Sequence, residues 1–266
     1  MKNKFHESIC AEGMPKKMKN EAKTVLVTGS ARGIGFAIAE AFVRRGNKVV
    51  LNCREDIAQL EKATDELRRI SLSEEYVTGI CADVSDYNAC ALMFSRVAED
   101  FGQVEILVNN AGSAYFGLFA QMNLCEMQTV ISANLMGTIN CSHLAVPGMI
   151  SKKSGNIINI TSIQGITGAS CEAVYSAAKA GVNGLTKSLA KELAPSGVRV
   201  NAIACGAFDT RMNARLSANE KNAFAESVPM GRFGKPPEAA ELAVFLASDA
   251  ASYLTGQIIP LDGGIV

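Results

Sequence analysis

Tyr175 and Lys179 stand four residues apart in Val174-Tyr175-Ser176-Ala177-Ala178-Lys179, and Ser162 lies thirteen residues before the tyrosine. Four residues is about one helical turn, so the phenol and the ammonium leave the same face of a helix. A free tyrosine holds its proton up to a pKa of ~10, too high for easy exchange at neutral pH. A cation beside it favours the phenolate and lowers that value. Ser162 closes the apolar run that begins at Ile157 and could hydrogen-bond the oxygen of a carbonyl or alcohol. The three could hand a proton to a ketone oxygen as hydride reaches its carbon. A surface Tyr/Lys pair on an amphipathic helix is the plainer account of the same spacing. The elements around the pair decide between the two.

From Lys23 onward, short β-rich runs alternate with helical stretches. Strands are predicted over Thr24–Thr28, Lys48–Asn52, Tyr76–Ala82, Val104–Asn109, Asn156–Thr161, Val198–Ile203 and Gln257–Pro260. Helices are predicted over Ile34–Arg45 (ended by Gly46), Asp56–Ile70, a stretch reaching Phe101, and a long region to about Ile150 with Pro147 near its end. Two more follow, over Ala173–Leu193 and Pro237–Ser248. Such alternation implies a doubly wound α/β domain, a mostly parallel seven-stranded sheet with helices on both faces. No repeat or Pro/Gly-rich linker divides it, so residues 23–266 read as one dinucleotide-binding catalytic domain. Residues 1–22, polar and basic with no apolar signal core, read as a frayed extension, and Met14 or Met18 could be the start of translation.

The dinucleotide expectation rests on the turn after the first strand. Thr28-Gly29-Ser30-Ala31-Arg32-Gly33-Ile34-Gly35 links a strand to a helix, where glycines let the backbone turn tightly and approach a pyrophosphate at the positive helix end. After the second strand an Asp would accept hydrogen bonds from the adenosine ribose of NAD. This chain has Asn52-Cys53-Arg54 instead, and Arg32 and Arg54 could grip the extra phosphate of NADP(H) as guanidinium forks. Two solvated arginines are the alternative. Asp83 and Val84 follow the third strand and could meet the adenine; Asn109-Asn110-Ala111-Gly112 follows the fourth and could flank the cofactor. Ordinary turns would use the same residues.

Composition excludes several other classes. Of the 266 residues 48% are hydrophobic and 20% charged, with 26 acids against 26 bases, so nothing suggests a nucleic-acid groove or an anionic membrane surface. No apolar run nears the ~20 residues of a membrane helix. The eight cysteines are scattered without a Cys-x-x-Cys pair, and the two histidines are not spaced as metal ligands. Reduced thiols, no metal and a cytoplasmic setting are expected.

Taken together, Thr28–Gly35, Asn109–Gly112, Ser162 and Tyr175 with Lys179 resemble the short-chain dehydrogenase/reductase family over about Lys23–Val266. The resemblance implies a Rossmann-type fold and assigns the tyrosine as proton donor or acceptor and the serine as carbonyl orienter. It also has the lysine hold the nicotinamide ribose, and places Asn134, in Ala133-Asn134-Leu135-Met136-Gly137, in a water-linked proton relay. Gly206 and Thr210 would meet the nicotinamide, and Gln164 would line the substrate pocket. Within the family, Val228–Pro237 and Phe245–Gly264 look like 3-oxoacyl-acyl-carrier-protein reductases. That implies an NADPH-dependent reductase of a 3-oxoacyl thioester, assembled as a homotetramer. Lys153 and Lys191 fall where that branch carries basic residues for the acidic carrier protein. Cys205 departs from the usual proline. Gly168-Ala169-Ser170-Cys171-Glu172 is similar to a Gram-positive group that reduces a ketone modification on elongation factor P. A steroid or other small ketone also stays open as substrate. So does a class without chemistry, an NADP-sensing protein, which typically loses the tyrosine or lysine present here.

Overall fold

The structure, a computed structural model, describes residues 22–210 and 218–266. The expected extension over residues 1–22 lies outside the described residues except for Ala22.

Seven short β-branched runs pair into one sheet: β1 (Thr24–Val27), β2 (Lys48–Cys53), β3 (Val77–Cys81), β4 (Ile106–Asn109), β5 (Gly155–Ser162), β6 (Val198–Cys205) and β7 (Ile258–Leu261). Every pairing is parallel and the spatial order is β3-β2-β1-β4-β5-β6-β7. The sheet is therefore wholly parallel among the described residues. Successive side chains of β1 serve opposite layers. Val25 and Val27 pack with α1 (Gly33–Val43), α2 (Ile57–Arg68) and α9 (Pro236–Ala247), while Leu26 packs with α3 (Tyr87–Phe101), α5 (Gly137–Lys152) and α7 (Ala173–Leu193). A strand buried on both faces needs an unbroken apolar run, which is how β1 and β2 read.

Local chemistry sets several helix starts. The Asp86 carboxylate accepts from the Asn88 and Ala89 amides to begin α3, and Asn123 and Glu126 form a reciprocal capping box at α4 (Leu124–Ile131). The region expected as one long helix before Ile150 is broken. An irregular segment over residues 110–123 precedes α4, a π-helical turn spans Ser132–Met136, and α5 then runs to Lys152 with Pro147 inside it. Phe116, Leu118 and Phe119 in residues 110–123 are exposed, so that segment has no apolar face to bury as a helix. Two further helices, α6 (Gln164–Thr167) and α8 (Ala218–Ser227), had no signal; α6 is too short to show a period.

Strand order reverses between β1 and β4, so the crossovers leave from opposite sides there. A crevice opens outside the carboxyl ends of the strands at such a switch point.

Candidate active site

The crevice is a cleft of about 1580 Å³ running from Arg54 at one end to Tyr175 and Phe224 at the other. That exceeds the ~300–1,000 Å³ of ordinary small-molecule pockets and leaves room for a dinucleotide with a second reactant.

At the glycine turn the fold uses hydrogen bonds to hold the backbone open. Thr28 Oγ1 accepts from the amides of Asn110 and Ala111, both at 3.0 Å, and Asn110 Nδ2 donates to the carbonyls of Thr28 and Gly29. Gly29 has φ +62°, and a methyl there would come within 2.8 Å of Ala111 Cα. The first turn of α1 carries no acid and its N-cap residue makes no side-chain cap bond, so the positive helix end faces the cleft uncompensated. These features fit a pyrophosphate. Gly29, Arg32, Gly33, Ile34, Arg54, Asp83, Val84, Asn110, Ala111, Gly112, Gly206 and Thr210 all line the cleft.

Two expected contacts sit behind the wall instead. Ser30 is fully buried; its hydroxyl donates to the Val27 carbonyl and accepts from the Asn52 amide, so it shapes the turn and has no reach to a ligand. Gly35 is also buried, with the Asn110 amide nitrogen 2.4 Å from where a methyl would stand, and its role is close packing. Asn52, read in the sequence only as a missing acid, is the hub of this end. Its amide group donates to the Cys53, Ile80 and Ala82 carbonyls and its oxygen accepts from the Gly29 amide. Arg54 pairs with Glu55, and Arg32 lies 3.8 Å from Asp56, with all four side chains about half exposed or more. Both guanidiniums stay at the cleft edge.

At the other end β5 delivers Ser162, α7 delivers Tyr175 and Lys179, and the π turn delivers Asn134. The Ser162 hydroxyl accepts from the Gln164 amide at 3.2 Å and faces the same end of the cleft as Tyr175. Lys179 is 5% exposed; its ammonium donates to the Ile160 carbonyl at 3.0 Å and lies 5.6 Å from the Tyr175 ring centroid. Asn134 is wholly buried and donates to the carbonyls of Ser113 and Val130. Its oxygen has no hydrogen-bond partner and stands 2.4 Å from the position a methyl on Gly112 would take. A π turn inserts one residue and re-aims the side chains after it, and such turns recur at functional sites. A buried amide oxygen without a partner is costly, so this one marks a place where a bridging water or ligand belongs.

The electrostatics correct one expectation. Lys179 does not pull the Tyr175 proton off. Burial, reinforced by the charges of Cys205 and Glu172, raises the tyrosine above its ordinary value, and the Ser162 hydroxyl only partly offsets this. Burial also lowers Lys179 to about 8. A lysine itself pushed toward neutrality, and bonded to a carbonyl, cannot offset the desolvation of a neighbouring phenolate. Tyr175 is thus held protonated at neutral pH, the state needed to give a proton to a developing alkoxide.

Other residues complete the wall. Glu172 lines the cleft three residues before Tyr175, on the same helix face by spacing alone, and accepts from Gln164 Nε2. Phe116, Phe208, Phe224 and the C-terminal Ile265 come from four separated segments and carried no local signal. Cys205 is the register partner of Ser162, and burial raises its thiol to about 12.

A family described as enoyl-(acyl carrier protein) reductase matches residues 29–266. A 3-oxoacyl-acyl-carrier-protein reductase of Thermotoga maritima is 38% identical over 251 residues, covering 94% of this chain and all of that protein. The chain belongs to the short-chain dehydrogenase/reductase family. Nodulation protein G of Azospirillum brasilense is equally similar, 38% identical over 91% of this chain and 98% of its own. A crystal structure of a candidate gluconate dehydrogenase from Agrobacterium tumefaciens superposes with a TM-score of 0.86 at 33% identity, covering 91% of this chain and 95% of that one. Short-chain dehydrogenase/reductases oxidise CH–OH or reduce C=O groups, and the protein is an oxidoreductase of that kind.

Proposed function

We propose that the protein reduces a ketone using NADP(H), with a 3-oxoacyl thioester as the leading substrate class. The observation that carries this reading is the convergence of Ser162, Tyr175, Lys179 and Asn134 on one end of a dinucleotide-sized cleft. When bound, the dinucleotide supplies the hydride. Ser162 donates to the ketone oxygen and Tyr175 transfers its proton to that oxygen as negative charge develops, while Lys179 would hold the nicotinamide ribose. Gly29, Gly33 and the N-terminus of α1 would hold the pyrophosphate, and Arg32 and Arg54 the 2′-phosphate.

The thioester reading draws support from the activity for which the Thermotoga relative is named. The lysines do not support it as expected. Lys153 caps α5 in a left-handed conformation beside the start of β5, and Lys191 lies in the last turn of α7. The eight residues of β5 put Ser162 about 23 Å from that edge, and the sixteen residues from Tyr175 to Lys191 span about 24 Å of helix. Both lysines stand at the far end of the sheet from the cleft, so their positions add no support to the carrier-protein reading. A second reading, the ketone-modified elongation factor P, draws on the Gly168–Glu172 segment, of which Gly168, Ala169 and Glu172 form part of the substrate wall. A sensing protein without chemistry is disfavoured because Ser162, Tyr175, Lys179 and Asn134 are all assembled.

The deciding experiment is NADPH consumption, with NADH in parallel, against a 3-oxoacyl thioester on acyl carrier protein, a small 3-oxo thioester, small ketones and ketone-bearing elongation factor P. Turnover of either thioester supports the proposal. Turnover of the elongation factor alone would favour the second reading, and consumption with none would overturn both.

The homotetramer and the cytoplasmic setting remain parts of the proposal. Ala177 and Ala180 on α7, and Phe245, Tyr253, Ile265 and Val266 near the C-terminus, are exposed apolar groups that symmetric assembly would cover. Light scattering should give four times the 28.1 kDa chain mass at micromolar concentration; a monomer would refute it. Among the described residues no helix is long and apolar enough to cross a membrane. All seven described cysteines are free, which suits a reducing compartment.

A further inference from the structure

Two cysteines that the proton-transfer chemistry does not use sit at the opposite end of the cleft. Cys53 and Cys81 end β2 and β3 and are direct partners in the parallel register. Such partners lie about 4.8 Å apart and point to the same face. That is within the ~4.4–6.8 Å Cα separation a disulfide bridges without backbone movement. Cys81 is exposed, on the edge strand, while Cys53 lies on the cleft wall. Each sulfur also contacts the turn after β2: Cys81 Sγ reaches the Arg54 carbonyl at 3.1 Å and Cys53 Sγ the Asp56 carbonyl at 3.4 Å. That turn carries Arg54, Glu55 and Asp56 along the cleft edge. Another thiol pair, Cys90 and Cys141, has its sulfurs 3.9 Å apart but is wholly buried under α3 and α5, beyond the reach of an oxidant.

We propose that Cys53 and Cys81 form a reversible disulfide that weakens dinucleotide binding. The oxidant is a low-molecular-weight disulfide of the glutathione type. The exposed Cys81 thiolate attacks it, forming a mixed disulfide and releasing one small thiol. Cys53 then loses its proton and attacks the Cys81 sulfur, expelling the second small thiol. The protein loses two electrons and two protons, and one small disulfide becomes two thiols. Burial raises Cys53 to about 11, so few of its thiols are ionised and the second step is the slow one. Once bridged, neither sulfur can donate to the turn carbonyls, and the segment bearing Arg54 loses two of its ties. An enzyme that consumes reducing equivalents would then bind its reductant less well under oxidising conditions.

The affinity half of this inference rests on the dinucleotide reading; the linkage half does not. The full-length protein is incubated with oxidised glutathione, free thiols are blocked with iodoacetamide, and proteolytic peptides are weighed. A Cys53–Cys81 linked pair, two hydrogens lighter than the sum of its peptides and lost on dithiothreitol treatment, is expected. Fluorescence titration should show NADPH binding weakened about tenfold by oxidation, from losing two weak hydrogen bonds, and restored by dithiothreitol. In Cys81→Ser the hydroxyl still reaches the Arg54 carbonyl but cannot bridge, so both effects should vanish. Both cysteines recovered unlinked, or oxidation sensitivity that survives in Cys81→Ser, overturns the site. A linked protein that binds NADPH as well as the reduced form overturns the regulatory effect. No NADPH binding by either form, with the link present, would instead fault the cofactor reading.

Discussion

Replacing Lys179 by methionine should abolish catalysis and stabilise the fold at once. The side chain is 5% exposed, and burial holds its pKa near 8 against an ordinary 10.5. A lysine whose folded pKa lies below its unfolded value opposes folding wherever both states would otherwise be charged. The unfolded chain binds more protons between about pH 8 and 10.5, so stability rises with pH in that window. The shift of about 2.5 units corresponds to a cost of about 3 kcal/mol at pH 7, and roughly 1 kcal/mol of it is relieved between pH 8 and 9. Methionine fills similar space without charge but leaves the Ile160 carbonyl without the ammonium, which returns about 1–2 kcal/mol. The net expectation is a variant more stable by about 1–2 kcal/mol at pH 7, its advantage shrinking by about 1 kcal/mol from pH 8 to 9. Above pH 9 the raised thiol of Cys205 acts with the opposite sign, because the unfolded thiol then releases its proton first. Urea unfolding of both proteins at one fixed concentration, at pH 7, 8 and 9, measures this. A variant less stable than the parent, or an advantage independent of pH, would refute the claim that Lys179 is held against its own desolvation.

Tyr175→Phe removes a proton donor that lines the cleft, so turnover should fall ~10²–10⁴-fold while NADPH affinity and stability change little; retention of half the activity, with chemistry rate-limiting, would refute it. Arg54→Ala should weaken NADPH roughly ten- to a hundredfold and leave NADH nearly unchanged, and equal losses by titration would point to a structural role. Gly112→Ala would set a methyl 2.4 Å from the Asn134 oxygen and 3.6 Å from the Lys179 ammonium, so activity should drop far more than the ~1–3 kcal/mol overpacking cost to stability. Unchanged kcat in that variant would mean that Asn134 can move without consequence.

The short range of the signals explains what could be read without coordinates. The strand–turn–helix at Thr28–Gly35, the apolar runs of β1, β2 and β5, and the one-turn spacing of Tyr175 and Lys179 are local patterns, and each survives as an element or a shared face in the folded chain. The boundaries of α7 follow from an uninterrupted helical stretch of 21 residues. Segments whose partners are distant in sequence carried no such signal. Ser30 belongs to the glycine turn expected to meet the cofactor, yet the amide of Asn52, twenty-two residues away, claims its hydroxyl. Lys153 and Lys191 looked like a docking pair, and only strand direction places them at the edge far from Tyr175. The tyrosine–lysine spacing established that the groups meet but not which of them yields its proton. That depends on the water each loses when β5, β6, α7 and the π turn close around them, and desolvation is a property of the assembled tertiary structure.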